Sequence, residues 1–146
     1  MATTAIVWEG FVYIGTAGSD PTKDGDKIGE VKSFDIPWDV DMVEVTSQCS
    51  EGHREYIPGL DGATCTLEVN YLKSDVDGQD ALWTYFQGKD KFAIRVNMDE
   101  GSNDGYGIYG DCYLSGMPVS SSTGDAVTMR ITIRFTGKIT YDADSA

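Results

Sequence analysis

The segment AVTMRITIRFTGKITY, Ala126 to Tyr141, alternates strictly between Val127 and Thr136. Val127, Met129, Ile131, Ile133 and Phe135 fall on one side. Thr128, Arg130, Thr132, Arg134 and Thr136 fall on the other. A period of two with one apolar and one polar side predicts a half-buried antiparallel strand. TCTLEVNY repeats the pattern, with Cys65, Leu67, Val69 and Tyr71 opposite Thr66, Glu68 and Asn70. In KFAIRVNM the apolar side is Phe92, Ile94, Val96 and Met98. FVYIG, KIGEVKSFDI, DVDMVEVT and the Gly- and Tyr-rich GYGIYGDCYLSG are less regular strands. The slip near Val31 predicts a bulge.

One segment departs from this period. In DGQDALWTYFQG, Asp77 to Gly88, Leu82, Tyr85 and Phe86 share a face at helical spacing, with Trp83 at its edge. Asp77 or Asp80 is the expected cap and Gly88 the stop. Two turns do not persist alone, so the aromatic face must pack on a sheet. Loops are expected at Thr16–Asp26, Asp99–Gly105 and Pro118–Asp125, and a polar tail at Asp142–Ala146. Strands, one helix, then strands make a mainly β chain: an antiparallel sandwich or small barrel with one short flanking helix.

The chain has 146 residues, 40% of them apolar and 11% aromatic, which suits one domain over residues 1–146 with one core. Its 17 glycines suit a turn-rich β protein. A net charge of −13 favours solubility and opposes binding to a nucleic-acid backbone from outside. It is compatible with enclosing nucleic acid, because a like-charged wall lets a polyanion pass. Cys49, Cys65 and Cys112 are an odd count without a CxxC and make a poor disulfide framework. Cys65 and Cys112 are expected to be small buried residues. The start, MATTAIVWEGF, lacks a signal-peptide pattern, and no apolar run reaches membrane-helix length, so the expected compartment is cytoplasmic.

The stretch VTSQCSEGHREYIPGLDG, Val45 to Gly62, holds the only His and has no clean period. Cys49 and His53 lack a second ligand pair for zinc. With Glu51 they hint at a nucleophile and base, but sequence adjacency is not the geometry such a pair needs. No GxSxG, P-loop or helix-opening GxGxxG occurs. Asp20, Asp24, Gly25 and Asp26 resemble part of an EF-hand loop but lack its bidentate acid. These residues, and the acidic turn Asp99, Glu100, Asn103 and Asp104, read as solvated turns. Tyr106, Tyr109 and Tyr113 could stack sugars.

The order of features is more specific than any one of them. IGEVKSFDIP precedes an acidic strand ending VEVTS. IPGLDGATCTLEV, DGQDALWTYFQGK, FAIRV and RFTGKI follow. From about Ile28 to Tyr141 this resembles the major tail tube proteins of long-tailed bacteriophages, and more weakly the tube of type VI secretion. The resemblance implies a β-sandwich or half-barrel with a flanking helix, without enzymatic activity or a cofactor. It implies six copies joined edge to edge in a ring. Rings would stack into the hollow tube of a virion tail, assembled in the host cytoplasm, through which DNA passes without specific binding. Tape-measure and tail terminator proteins are the further partners it suggests. A carbohydrate- or protein-binding β-sandwich, such as a tail adhesin, is the competing expectation.

Within the tube expectation, Asp39, Asp41, Glu44 and Glu68 are candidate lumen-facing acids that would repel phosphates. Arg130 and Arg134 depart from a purely acidic face, so they lie away from a lumen or pair with carboxylates. Val45–Gly62 becomes an extended arm on a neighbouring subunit. Tyr56, Ile57, Pro58 and Leu60 would anchor it, and Glu51, His53, Arg54 and Glu55 would form its polar rim.

Overall fold

A computed structural model describes residues 8, 11–21, 26–46, 52–71, 75, 78–99 and 105–142. Its strands are β1 (Val12–Thr16), β2 (Asp26–Lys27), β3 (Val31–Asp35), β4 (Trp38–Glu44), β5 (Tyr56–Asn70), β6 (Phe92–Asp99), β7 (Tyr106–Gly116), β8 (Val119–Ser120) and β9 (Thr128–Asp142). Helix α1 spans Gln79–Gly88. The strands form a curled antiparallel half-barrel in the order β2-β1-β6-β7-β9-β5-β3, with β4 added to β5 and β8 to β9.

Alternation becomes register along β9. Ile133, Ile131 and Met129 stand across from Cys65, Leu67 and Val69 of β5. All six are at most 1% exposed. Burying one such aliphatic side chain stabilises by about 1.5–3 kcal/mol, so this ladder is a large part of the core. The intervening pairs are Arg134–Thr64, Thr132–Thr66 and Arg130–Glu68, on the polar side. Val12, Ile14, Phe92, Ile94 and Leu82 extend the core toward β1, β6 and the helix. The expected slip lies where it was read, as a register break between Val31 and Ser33 against β5.

The helix packs as its spacing requires. Leu82 is buried, and Tyr85 stacks on Phe92 at 4.8 Å. Its start differs from the expectation. Gly78 is the N-cap and offers no side chain. The Asp75 carboxylate instead accepts from the backbone N–H of Gln79 and of Gly29, each at 3.0 Å. Buried Gln79 donates to the carbonyls of Gly29 and Asn70, which fastens the helix to the turn before β3 and the end of β5.

Three further expectations are corrected. β6 is buried on both sides, with Ala93, Arg95 and Asn97 enclosed as fully as Phe92 and Ile94. The loop expected after Pro118 contains β8, which pairs with the start of β9. Tyr56–Gly62, read as part of an irregular arm, is the first half of β5. Pro58, Gly59 and Gly62 hide its period, and so does the bulge that breaks its register with β4 between Val40 and Met42.

Candidate functional site

β5 changes partners midway. From Thr64 to Asn70 it lies against β9, and from Thr66 to Val69 also against β3. From Tyr56 to Ala63 it pairs with β4 alone among the described residues. β9 bends away at a bulge. Between Gly110 and Cys112 of β7 it takes extra residues around Gly137, whose φ is 81°. Glycine occupies that conformation without the clash a Cβ would bring. The sheet therefore forks. One prong is the second half of β9 on β7, and the other is the β4–β5 ribbon. A cavity of about 270 Å³ marks the crotch, lined by Pro37, Asp39, Gly62, Ala63, Arg134 and Phe135, among others.

The ribbon is tied internally. The Trp38 indole donates to Asp61 at 2.8 Å near its root. Toward the tip, the Val45 N–H donates to the Glu55 carbonyl at 2.8 Å, and the Glu55 N–H to the Thr46 hydroxyl at 3.1 Å. Gly59 allows close approach: a Cβ there would sit 3.3 Å from the Asp41 carbonyl oxygen. The ribbon's surface is apolar to an unusual degree. Seven of the thirteen exposed large apolar side chains of the described chain lie between Val40 and Leu60. Met42 is 59%, Ile57 51% and Leu60 83% exposed. A concentration of this kind marks a surface built to be covered.

The sequence-predicted arm residues fall here. Tyr56, Ile57, Pro58 and Leu60 lie on the β5 prong, and His53, Arg54 and Glu55 precede it at the exposed tip. Glu51 and Cys49 lie outside the described residues. Arg54 approaches Glu44 at 4.0 Å, both exposed, a contact of little energetic weight. The four candidate lumen acids are not brought together. Asp39, Asp41 and Glu44 sit on β4 in the ribbon, whereas Glu68 is in the body of the sheet, directly across from Arg130.

Sequence reasoning missed Arg95. Its side chain is fully enclosed, and its guanidinium is held by polar groups and a ring. It donates to Asp20 at 2.9 Å, Asp142 at 2.9 Å, Asn97 Oδ1 at 2.7 Å and the Gly105 carbonyl at 2.8 Å. Its guanidinium also lies 5.3 Å from the centre of the Tyr109 ring. A buried charge persists only when paired and hydrogen-bonded in this way. Asp20, read as a solvated turn residue, is therefore part of a staple joining the first loop, β6 and the end of β9. No local pattern hints at it: Arg95 alternates with the apolar Ile94 and Val96, on the side expected to be polar, and its carboxylates are 75 and 47 residues away. Tyr109 is engaged by this staple, while Tyr106 and Tyr113 are exposed, so the three tyrosines do not form one platform.

Cys65 and Cys112 are buried, as expected. Burial, then the nearby Asp35 charge, pushes the Cys65 thiol from 9.0 up to about 12. Burial first, then Cys65 and Asp111, pushes Cys112 upward as well. Thiols held protonated in this way are poor nucleophiles. Among the described residues no group of His, Cys, Asp and Glu is arranged to hold a metal.

No family model and no curated protein matches the sequence. Solved structures do match. The tail of an empty gene transfer agent (GTA) particle, refined with C6 symmetry, aligns with a TM-score of 0.73 at 15% identity, covering 91% of this chain and 95% of that chain. A second match is the virion of a native gene transfer agent particle, with a TM-score of 0.70 at 15% identity, 90% of this chain and 95% of that one. The chain has the tail-tube fold. The SPP1 tail tube agrees, with a TM-score of 0.63 at 16% identity, covering 94% of this chain and 81% of that one. The tail-tube fold thus accounts for the half-barrel, the flanking helix α1 and the near full-length coverage. At such identities the likeness concerns the fold.

Proposed function

We propose that the chain is the subunit of a phage-type tail tube. Six copies close a ring, and rings stack into a hollow tube through which DNA passes. The carrying observation is the near full-length match to a tail refined with C6 symmetry. The ribbon supports it physically. A monomer gains nothing by exposing Met42, Ile57 and Leu60, whereas a subunit that buries them on its neighbour does. The arm of the proposal is thus the β4–β5 ribbon, with the tip residues up to Glu55 as its rim. Open strand edges, normally a liability, become the joints of the ring.

On this reading the protein's work is mechanical, without catalysis or a cofactor. It resides in the virion tail after assembly in the host cytoplasm. A tape-measure protein inside the tube and a terminator at its end are its further partners.

The test is electron microscopy of the concentrated protein, with and without deletion of Gln48–Ile57. Rings or rods with a central channel, lost on deletion, are expected. A small discrete oligomer with saturable sugar binding would support the lectin reading instead.

A further inference from the structure

The charges of this acidic chain are segregated. The described ribbon carries Asp39, Asp41, Glu44, Glu55 and Asp61 against a single Arg54. The polar side of β9 carries the opposite sign. Arg130 and Arg134 are exposed there, and Lys138 follows beyond the bulge. Among the described residues, the ion pairs are those of Arg54 and Arg95. Arg130, Arg134, Asp39 and Asp41 enter none of them. Arg130 has Glu68 directly across on β5 without an ion pair between them, whereas Arg134 faces only Thr64 on that strand, so Arg134 above all leaves its charge for a partner. Asp39 and Arg134 even line the same cavity without forming an ion pair.

We propose that the ribbon of one copy docks, through its Asp39–Asp41 side, on the Arg130–Arg134 side of a second copy's sheet; this deepens the tube reading and rests on it for the association of copies. Both surfaces have the composition of an interface. Asp41 and Val43 share a side of the ribbon, since both face the missing Cβ of Gly59. On the receiving sheet, Tyr113 stands directly across from Arg134 and is 44% exposed. Apolar and aromatic side chains flanked by opposite charges combine burial with charge-dictated register. At about 3.3 Å per residue Asp39 and Asp41 lie about 7 Å apart and Arg130 and Arg134 about 13 Å, while the seven residues of β4 reach about 23 Å, so one ribbon spans both arginines. The contact is heterologous, ribbon to sheet, so it propagates from copy to copy. Duplex DNA would also suit two arginines, but the net charge of the whole subunit opposes it.

Charge exchange tests the contact, with assembly read by sedimentation and electron microscopy. Asp39→Lys with Asp41→Lys, and separately Arg130→Glu with Arg134→Glu, should each raise the concentration needed for assembly by about tenfold or more. All four substitutions together should restore it. Pairing the Arg130→Glu, Arg134→Glu change with Asp90→Lys and Asp125→Lys restores the net charge alone and should not rescue. Each variant should keep the wild-type far-UV circular dichroism and unfolding midpoint, because the changed side chains are exposed. Reversal variants that assemble like wild type overturn the contact and leave the tube reading standing, whether or not they lose affinity for duplex DNA. Rescue by the control pair also overturns it. A wild-type protein that stays monomeric at every concentration overturns both.

Discussion

At the scale of single residues, Arg95 carries the most weight. It is enclosed completely, while its partners Asp20 and Asp142 keep 32% and 30% side-chain exposure. Removing Asp142 by an Asn substitution leaves Arg95 one carboxylate short inside the protein. Replacing Arg95 by Met removes the buried charge and leaves two carboxylates that can still reach water. Breaking a fully buried pair costs about 3–5 kcal/mol, and the exposure of these acids reduces that toward about 2 kcal/mol for Asp142→Asn. Urea unfolding should show that loss as a lower midpoint with an unchanged slope. Cys65 makes a pH prediction. Its folded pKa of about 12 lies above its ordinary 9.0, so the folded state holds the proton after the unfolded chain has released it. Its contribution is therefore full below pH 9 and declines as pH rises toward 12, by about 1 kcal/mol per pH unit. Replacing Cys65 and Cys112 by Ala should flatten that alkaline limb in unfolding measured from pH 8 to 10. None of these pairings was legible in sequence, because each joins residues dozens of positions apart.

At the scale of elements, legibility followed periodicity. β9 and the second half of β5 were readable because every second residue is apolar and every second one is buried. The helix was readable from Leu82, Tyr85 and Phe86. Its cap was not, because Asp75 reaches the first N–H from four residues upstream. The first half of β5 was read as irregular because a two-stranded ribbon without an inward side imposes no alternation, and a bulge shifts what remains. Two substitutions separate the ribbon's folding from its use. Gly137→Val places a branched residue at φ 81° and should destabilise by about 1–3 kcal/mol in thermal or urea unfolding, since the bulge that opens the fork needs that backbone. Leu60→Asp alters a side chain that is 83% exposed. It should shift unfolding by no more than about 0.5 kcal/mol, yet abolish sedimentable assemblies.

At the scale of the whole molecule, the chain divides into a body that is complete in itself and a prong that is not. The body buries its core between the curled sheet and one helix. Among the described residues, the prong carries seven of the thirteen exposed large apolar side chains and five carboxylates against one arginine. The order of motifs in the sequence pointed to this architecture, and the near full-length alignment with tails and a tail tube agrees with it. The most direct measurement is a cryo-EM reconstruction of the protein assembled at high concentration. The account predicts a hollow tube with sixfold rings, in which Met42, Ile57 and Leu60 of each copy are buried against another copy. A closed oligomer without a channel, with those three residues still facing solvent or folded back onto their own subunit, would contradict it.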